Sequence, residues 1–174
     1  MCSPAPPVIS GTRSRSVRTD GPAETHALAS ALAAVAQRGD RLSLIGPLGA
    51  GKTQFAKGFA AGLGVTDVVN SPSFTLMAEY AGRLPLFHQD LYRLAGMDDA
   101  LSGGLFDARQ DAGVTLSEWA ERLDPRLDAE RLIVDFEVLS DRDRLIVLRA
   151  PASGRHDAYL AAATAWEARG PRRP

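Results

Sequence analysis

The sequence contains one cysteine, Cys2, among its 174 residues. One thiol cannot form an intramolecular disulfide, so nothing in the chain indicates an oxidising compartment. Histidine is also scarce, with three residues at positions 26, 88 and 156 that are scattered along the chain and have no cysteine beside them. This spacing argues against a zinc site built from protein ligands alone.

Long apolar runs and an excess of one charge are missing as well. No stretch approaches the roughly 20 consecutive apolar residues that span a bilayer. Twenty basic and 21 acidic residues leave a formal net charge of −1, which gives no general electrostatic reason to expect bulk binding to nucleic acid or membranes. With 45% hydrophobic residues, the chain is predicted to form one compact cytoplasmic domain with no membrane partner.

Composition divides the chain into three parts. Residues 1–19 are rich in proline, serine and arginine and are predicted to be a flexible extension. Residues 20–168 are predicted to form the folded domain, and residues 169–174 a short basic tail.

Apolar periodicity and turn residues predict the elements of this domain. They are a helix at 22–38, a strand at 41–45, a helix at 52–63, a strand hairpin at 74–80 and 84–90, a short helix within 97–109, a strand at 114–119, a second hairpin at 131–139 and 143–150, and a helix at 157–169. This order predicts an α/β sandwich in which helices flank a mixed β-sheet.

The octapeptide GPLGAGKT, residues 46–53, matches the phosphate-loop pattern G-x-x-x-x-G-K-[ST] completely. Such a loop turns successive backbone N–H groups toward phosphate oxygens, and the helix that follows directs its positive end at the same anion. A strand before the loop and a helix after it are both predicted here, as the pattern requires. The residues predicted to bind the nucleotide phosphates are Gly46, Gly49, Ala50, Gly51, Lys52, Thr53 and Gln54.

Lysine usage supports this interpretation. Lys52 and Lys57 are the only lysines, so 20 basic residues minus two leaves eighteen arginines. In a chain that otherwise uses arginine, a lysine in the loop indicates that a compact ammonium group is needed there. Lys52 is predicted to reach the β- and γ-phosphates, and the Thr53 hydroxyl is predicted to bind magnesium.

Hydrolysis also requires acids that support magnesium or orient water. Asp90 and Glu118 each end an apolar strand-like run, where parallel strands deliver residues to a ligand crevice. The residues alone leave three roles open for Asp90: metal ligand, proton acceptor, or surface ion pair with Arg93. Glu118 could likewise form a local ion pair with Arg122.

Two sequence motifs that are missing from the chain narrow the class of phosphate-loop protein to which it can belong. The chain contains no N-K-x-D and no D-x-x-G after a strand, which argues against a small GTPase. A small-molecule kinase with an arginine-bearing lid, and a nucleotide-loaded switch that acts on a partner, both remain open. The hydroxyl-rich segment NSPSFTL, residues 70–76, could sense a γ-phosphate, or it could simply be a turn at Ser71-Pro72.

Four motifs in this order, GPLGAGKTQFAKGFAAGLG, NSPSFTL, FHQDLYRL and LSEWAERL, resemble the TsaE family, formerly YjeE. The resemblance covers about residues 20–148 and implies a P-loop NTPase-like fold with ATP and Mg²⁺ as cofactors. The family consists of small bacterial ATPases that act with the proteins TsaB and TsaD to form N6-threonylcarbamoyladenosine on tRNA. The resemblance implies that this chain does not catalyse the threonylcarbamoyl transfer itself and meets tRNA only indirectly, through the complex.

The resemblance also implies roles for individual residues. Thr53 and Glu118 would be the magnesium ligands, and Lys52, Asp90 and Glu118 the catalytic set. Asp90 would lie near the metal or the attacking water. The implied switch or partner surface consists of Ser71, Ser73, Thr75 and Trp119.

Two further expectations follow from the resemblance. Contacts to the nucleotide base are expected near residues 20–25 and around Arg142. The family has an acidic helix before the Glu-Trp strand, and the segment MDDALSGGLFDARQ, residues 97–110, keeps few of its residues. This difference concerns the details of partner contact and does not affect the expected ATP site.

Overall fold

The computed structural model describes residues 12–127 and 129–170. Its strands are β1 (Arg13–Asp20), β2 (Asp40–Ile45), β3 (Met77–Tyr80), β4 (Leu86–Asp90), β5 (Val114–Glu118), β6 (Leu132–Val138) and β7 (Asp143–Ala150). Its α-helices are α1 (Gly21–Ala33), α2 (Lys52–Gly62), α3 (Met97–Ser102) and α4 (Asp157–Arg169). Short 3-10 helices occupy Ala108–Ala112, Ala120–Arg122 and Pro125–Leu127. None of the helices in these ranges is long and apolar enough to cross a membrane.

The strands form one seven-stranded sheet in the order β1-β7-β6-β2-β5-β4-β3. The four central strands β6, β2, β5 and β4 are parallel, while β1, β7 and β3 are antiparallel to their neighbours. Because parallel strands run in the same direction, the carboxyl ends of these four strands lie at one edge of the sheet. Both predicted hairpins, β3–β4 and β6–β7, are present, and the mixed α/β fold is confirmed.

The main core lies between the sheet and α1, α2 and α4. Leu28 of α1, Phe55 of α2 and Phe136 of β6 are each at most 1% exposed there. Helix α2 approaches α1 closely because Gly58 has no side chain: a Cβ at this position would overlap the backbone carbonyl of His26. Close packing of α2 fixes the helix whose first turn completes the phosphate loop.

A second, smaller core forms around residues that follow β4 and β5. Leu91, Ala100, Leu105 and Leu123 are its buried members, and Trp119 packs against it. This core supports the loops at the carboxyl ends of the two strands that carry Asp90 and Glu118.

The prediction of a flexible extension at residues 1–19 is wrong for residues 13–19, which belong to β1. Val17 and Thr19 point into the core and are at most 1% exposed. Arg13, Arg15 and Arg18 form ion pairs with Asp157, Glu167 and Asp143, so the arginines decorate an edge strand. Arginine-rich composition predicts a solvated segment, but the alternation of buried and exposed residues at 16–20 is that of a strand at the edge of the sheet.

The domain therefore begins at or before residue 13. The predicted tail starts later than expected, because Arg169 is the last residue of α4. Residues 1–11 and 171–174 lie outside the described residues. Helix α1 ends at Ala33 and β3 begins at Met77, so both elements are shorter than predicted.

Candidate nucleotide and metal site

The phosphate loop connects β2 to α2 at the edge of the sheet where the parallel strands end. Gly51 is the N-cap of α2 and has a φ of 104°, a conformation that residues with a side chain rarely adopt. Gly46 has a φ of 140°, and a Cβ there would lie 2.8 Å from the carbonyl oxygen of Phe136. The two glycines therefore let the loop turn tightly against β6 and enter the helix, which directs its N-terminal N–H groups at the cavity.

Lys52 is held by the loop itself. Its side chain is buried, and Nζ donates hydrogen bonds to the carbonyl oxygens of Gly46 and Pro47. Nζ also lies 3.6 Å from the ring centroid of Trp119, a cation–π contact. Burial lowers the pKa of Lys52, although the neighbouring carboxylates of Glu121, Glu118 and Asp90 oppose this shift.

Glu118 is paired with the loop's hydroxyl residue. Thr53 Oγ1 lies 3.0 Å from Glu118 Oε2. On the other side, His88 Nε2 lies 2.8 Å from Glu118 Oε1, with the imidazole N–H as the donor to the carboxyl oxygen. Glu118 and His88 are at most 2% exposed, so the orientation of this carboxylate is set by these two neighbours.

Asp90 lies opposite Glu118 in the pairing of β4 with β5. Its Oδ2 accepts hydrogen bonds from the hydroxyls of Ser71 and Ser73, and its Oδ1 accepts the N–H of Tyr92. Burial opposes ionisation, but the three hydrogen bonds outweigh it and lower the pKa of Asp90 below its ordinary value. The carboxylate is therefore ionised and held in place at neutral pH.

The local ion pairs considered for these acids are not what holds them. The Arg93 guanidinium lies over the ring of Phe74, 4.4 Å from its centroid. The Arg122 guanidinium lies over the ring of Tyr92. Both acids instead take their hydrogen bonds from groups that line or support the cavity.

Backbone strain is concentrated beside the two acids. Among the described residues, Leu76 and Trp119 are the only non-glycine residues with positive φ, at 62° and 58°. Trp119 directly follows Glu118, and the carbonyl of Leu76 accepts the N–H of Asp90. A left-handed conformation is costly for a residue with a side chain, so both turns depend on the surrounding packing. Trp119 gains such packing from Tyr92, at 5.0 Å between ring centroids.

These groups surround an open cavity of about 420 Å³. It is lined by Leu48, Gly49, Ala50, Gly51, Lys52, Thr53, Gln54, Ser71, Ser73, Asp90, Tyr92, Glu118 and Trp119. The structure thus brings together most of the residues predicted from the sequence, including the two acids that lie 28 positions apart in the chain.

Three predicted site residues lie outside this lining. Gly46 lies behind it and contributes a carbonyl to Lys52. Thr75 is exposed, and its N–H bonds the carbonyl of Pro72. Arg142 is exposed and pairs with Asp20, at 2.9 Å between Nε and Oδ1.

Arg144 was not predicted, yet it contacts the phosphate loop directly. Its Nε donates to the Ala50 carbonyl at 3.1 Å and its Nη2 to the Gly49 carbonyl at 3.2 Å. Arg144 therefore bonds only carbonyls of the loop and none of its backbone N–H groups. No local pattern distinguishes Arg144 from Arg142, so only the placement of β7 beside the loop could identify it.

With this geometry in place, comparison with known proteins identifies the family. The model of the family described as "Threonylcarbamoyl adenosine biosynthesis protein TsaE" matches residues 19–146. The chain belongs to the TsaE family. The matched residues include the phosphate loop, the serine segment and both acids.

Individual TsaE proteins support the assignment. The chain is 47% identical over 134 residues to the tRNA threonylcarbamoyladenosine biosynthesis protein TsaE of Bacillus subtilis, covering 76% of this chain and 84% of that protein. It is 41% identical over 112 residues to the protein of the same name from Treponema pallidum, covering 64% and 83% of the two chains. The crystal structure of Bacillus subtilis YdiB aligns with a TM-score of 0.71 at 39% identity, covering 88% of this chain and 96% of that one.

Proposed function

We propose that the protein is a magnesium-dependent ATPase subunit required for N6-threonylcarbamoyladenosine formation on tRNA. The observation that carries this proposal is the pairing of Thr53 with Glu118. The hydroxyl, in the first turn of α2, and the carboxylate, at the end of β5, lie 3.0 Å apart, and both residues line the cavity. The chain belongs to a family named for threonylcarbamoyladenosine biosynthesis, which supports this assignment.

The residues present fit magnesium and a nucleoside triphosphate. Thr53 and Glu118 offer oxygen donors side by side, which is the donor chemistry that Mg²⁺ selects. The phosphate loop offers backbone N–H groups and the N-terminus of α2 for the phosphates. When bound, magnesium neutralises charge that develops on the phosphate oxygens.

Lys52 would exchange partners when ATP binds. Its ammonium group now donates to the carbonyls of Gly46 and Pro47, within reach of the space that phosphates would fill. A phosphate oxygen would replace these carbonyls, and Lys52 would then leave the face of Trp119. Trp119 fluorescence is therefore a suitable reporter of nucleotide binding.

Asp90 is best suited to hold the attacking water. Its carboxylate is ionised, lines the cavity, and lies on the strand position paired with Glu118. Ser71 and Ser73 would keep the carboxylate aimed at the water, or release it when they contact a γ-phosphate. In the second case the serine segment would act as a switch that reports the nucleotide state.

The surface around the cavity supports a partner-dependent role. Leu48 and Tyr92 line the cavity and are 85% and 49% exposed, and Phe74, which follows Ser73, is 85% exposed. Large apolar side chains on the surface mark sites of protein contact when they cluster. We assign this surface, together with Ser71, Ser73, Thr75 and Trp119, to contact with TsaB and TsaD in the cytoplasm. In this arrangement the chain does not transfer threonylcarbamoyl itself, and tRNA is met through the complex.

The test is hydrolysis of ATP and modification of tRNA by the purified protein, with and without TsaB and TsaD. We expect slow hydrolysis alone, stimulation by the partners, and loss of both activities in Lys52→Ala. Lys57→Ala is the matched control, because Lys57 is the only other lysine and lies outside the cavity. Undiminished hydrolysis and tRNA modification by Lys52→Ala would refute the assignment.

Two further measurements separate the alternatives. A small-molecule kinase would transfer the γ-phosphate to a small acceptor without needing partners. A non-hydrolytic switch would assemble with TsaB and TsaD in the presence of ATP even when Asp90→Asn or Glu118→Gln abolishes hydrolysis.

A further inference from the structure

A buried polar network lies behind the two acids, on the opposite face of their strands. Successive side chains of a strand alternate between faces, so Gln89 and Ser117 point away from Asp90 and Glu118. Gln89 is 2% exposed and Ser117 is 6% exposed. Polar side chains so buried impose strict geometric demands, because each unpaired group is costly in a low-dielectric interior.

The network links the two strands to each other and to the segment that precedes β5. Ser117 Oγ donates to Gln89 Oε1 at 2.8 Å, which ties β5 to β4 one residue before the acids. Gln89 Nε2 donates to the carbonyl of Leu105 at 3.0 Å, and Gln110 Nε2 donates to the carbonyl of Gly104 at 2.9 Å. Thr115 Oγ1 closes the network with a bond to Gln110 Oε1 at 3.3 Å.

The segment held by these bonds is residues 103–112, which we call the linker segment. It runs from the end of α3 to the start of β5 and contains only a 3-10 helix at Ala108–Ala112. The glutamine amides satisfy the carbonyls of Gly104 and Leu105, and the Leu105 side chain fills the smaller core. The linker segment is thus held by the network, by the packing of Leu105 and Phe106 in the smaller core, and by an exposed ion pair of Arg109 with Glu79.

We propose that Gln89 and Gln110 are positioning residues that couple the placement of the linker segment to the geometry of Asp90 and Glu118. The inference rests on the proposed function, since it concerns the magnesium and ATP site. Displacing the linker segment pulls on Gln89 through Leu105, and Gln89 lies next to Asp90 in β4 and is bonded to the residue before Glu118. A shift of about 1 Å at such a site changes activity by as much as 10²-fold.

The coupling also gives the chain a route by which a docked partner alters the site. Leu101 in α3, two residues before the linker segment, is 62% exposed. A protein that contacts α3 moves the linker segment and thereby the acids, without reaching into the cavity.

The test is a magnesium titration of the full chain with ATP, monitored through Trp119 emission in a Trp166→Phe background. This measurement does not require turnover. Gln89→Met and Gln110→Met preserve side-chain size and remove the amides. We expect each to raise the magnesium concentration at half-saturation at least fivefold, while affinity for ATP without magnesium stays within twofold. The phosphate loop makes none of the network's bonds, so this split separates positioning from general loss of structure.

Tyr159→Phe is the matched control, because it also removes a buried hydrogen bond, to Asp40, at the other end of β2. It should lower thermal stability and leave the magnesium titration unchanged. If Gln89→Met does not fold, Ser117→Ala removes the same link without adding bulk and is expected to shift the titration in the same direction.

The proposal is overturned if Gln110→Met and the Gln89 or Ser117 variant titrate like the parent protein, or if Tyr159→Phe shifts the titration equally. A parent protein that binds ATP with magnesium but does not hydrolyse it would contradict the proposed ATPase function while the titration still decides the role of the glutamines. A parent protein that shows no magnesium-dependent binding would overturn both.

Discussion

Replacing His88 with leucine tests how the proposed magnesium ligand Glu118 is held. The imidazole is fully buried and lies 2.8 Å from Glu118 Oε1. Removing a hydrogen bond to a charged group costs about 1.5–3 kcal/mol. Without the imidazole, Thr53 is the remaining side-chain partner of the buried Glu118 carboxylate. At about 1.4 kcal/mol per factor of ten, a central loss of about 2 kcal/mol corresponds to roughly 30-fold weaker magnesium binding. Loss of groups that orient metal ligands typically costs about 10- to 100-fold in affinity, which agrees with this estimate.

The assay is magnesium dependence of ATP binding and hydrolysis, with thermal unfolding measured alongside. His88→Gln is expected to restore part of the affinity, because its side-chain amide also carries a donor. His156→Leu is the matched control: His156 is equally buried, but its Nε2 bonds the carbonyl of Glu130 at 2.8 Å, outside the cavity lining. A His88→Leu variant that folds and binds magnesium within twofold of the parent protein would refute the supporting role of the imidazole.

Three further changes test other parts of the structure. Ser73→Ala should raise the pKa of Asp90 toward its ordinary value, because it removes one of the hydrogen bonds that lower it. The acid limb of the pH profile of ATP hydrolysis should then move to higher pH. An acid limb that does not move would show that the Ser73 hydroxyl does not stabilise the carboxylate. A carboxyl group whose pKa is lowered by folding stabilises the fold at pH values above its ordinary pKa, and this contribution is lost as the pH falls. The difference in unfolding free energy between Ser73→Ala and the parent protein should therefore become smaller at acid pH. Gly58→Ala should lower the free energy of unfolding by about 1–3 kcal/mol, because the new methyl group overlaps the backbone of α1. Denaturant unfolding measures this change, and a more stable variant would contradict the close packing of the two helices. Arg144→Ala should weaken ATP binding about five- to tenfold by loosening the phosphate loop, whereas Arg142→Ala should not; equal calorimetric affinities would contradict this difference.

The phosphate loop could be predicted from the sequence because its conformation is local. Gly46 and Gly51 permit the backbone angles, and Lys52 and Thr53 follow at the required spacing. Apolar alternation and turn residues likewise predicted both hairpins, since strand pairing across a short turn needs no distant information.

The partners of the acids depended on tertiary structure. The sequence alone left Asp90 with three roles, and only the pairing of β4 with β5 places it beside Glu118. The serine segment could be a turn or a sensor until folding brought the hydroxyls of Ser71 and Ser73 to the Asp90 carboxylate.

Strand β1 is an element of the fold that local sequence did not predict and tertiary structure decided. Its arginines predicted a flexible extension, but β1 pairs with β7, which lies more than 120 positions later in the chain. The same long-range arrangement puts Arg144 against the phosphate loop and leaves Arg142 at the surface with Asp20. Local sequence thus determined the backbone of the phosphate loop, because those constraints act between neighbours. Which acids, hydroxyls and arginines surround it was decided by sheet order and register, which follow from burying the whole core at once.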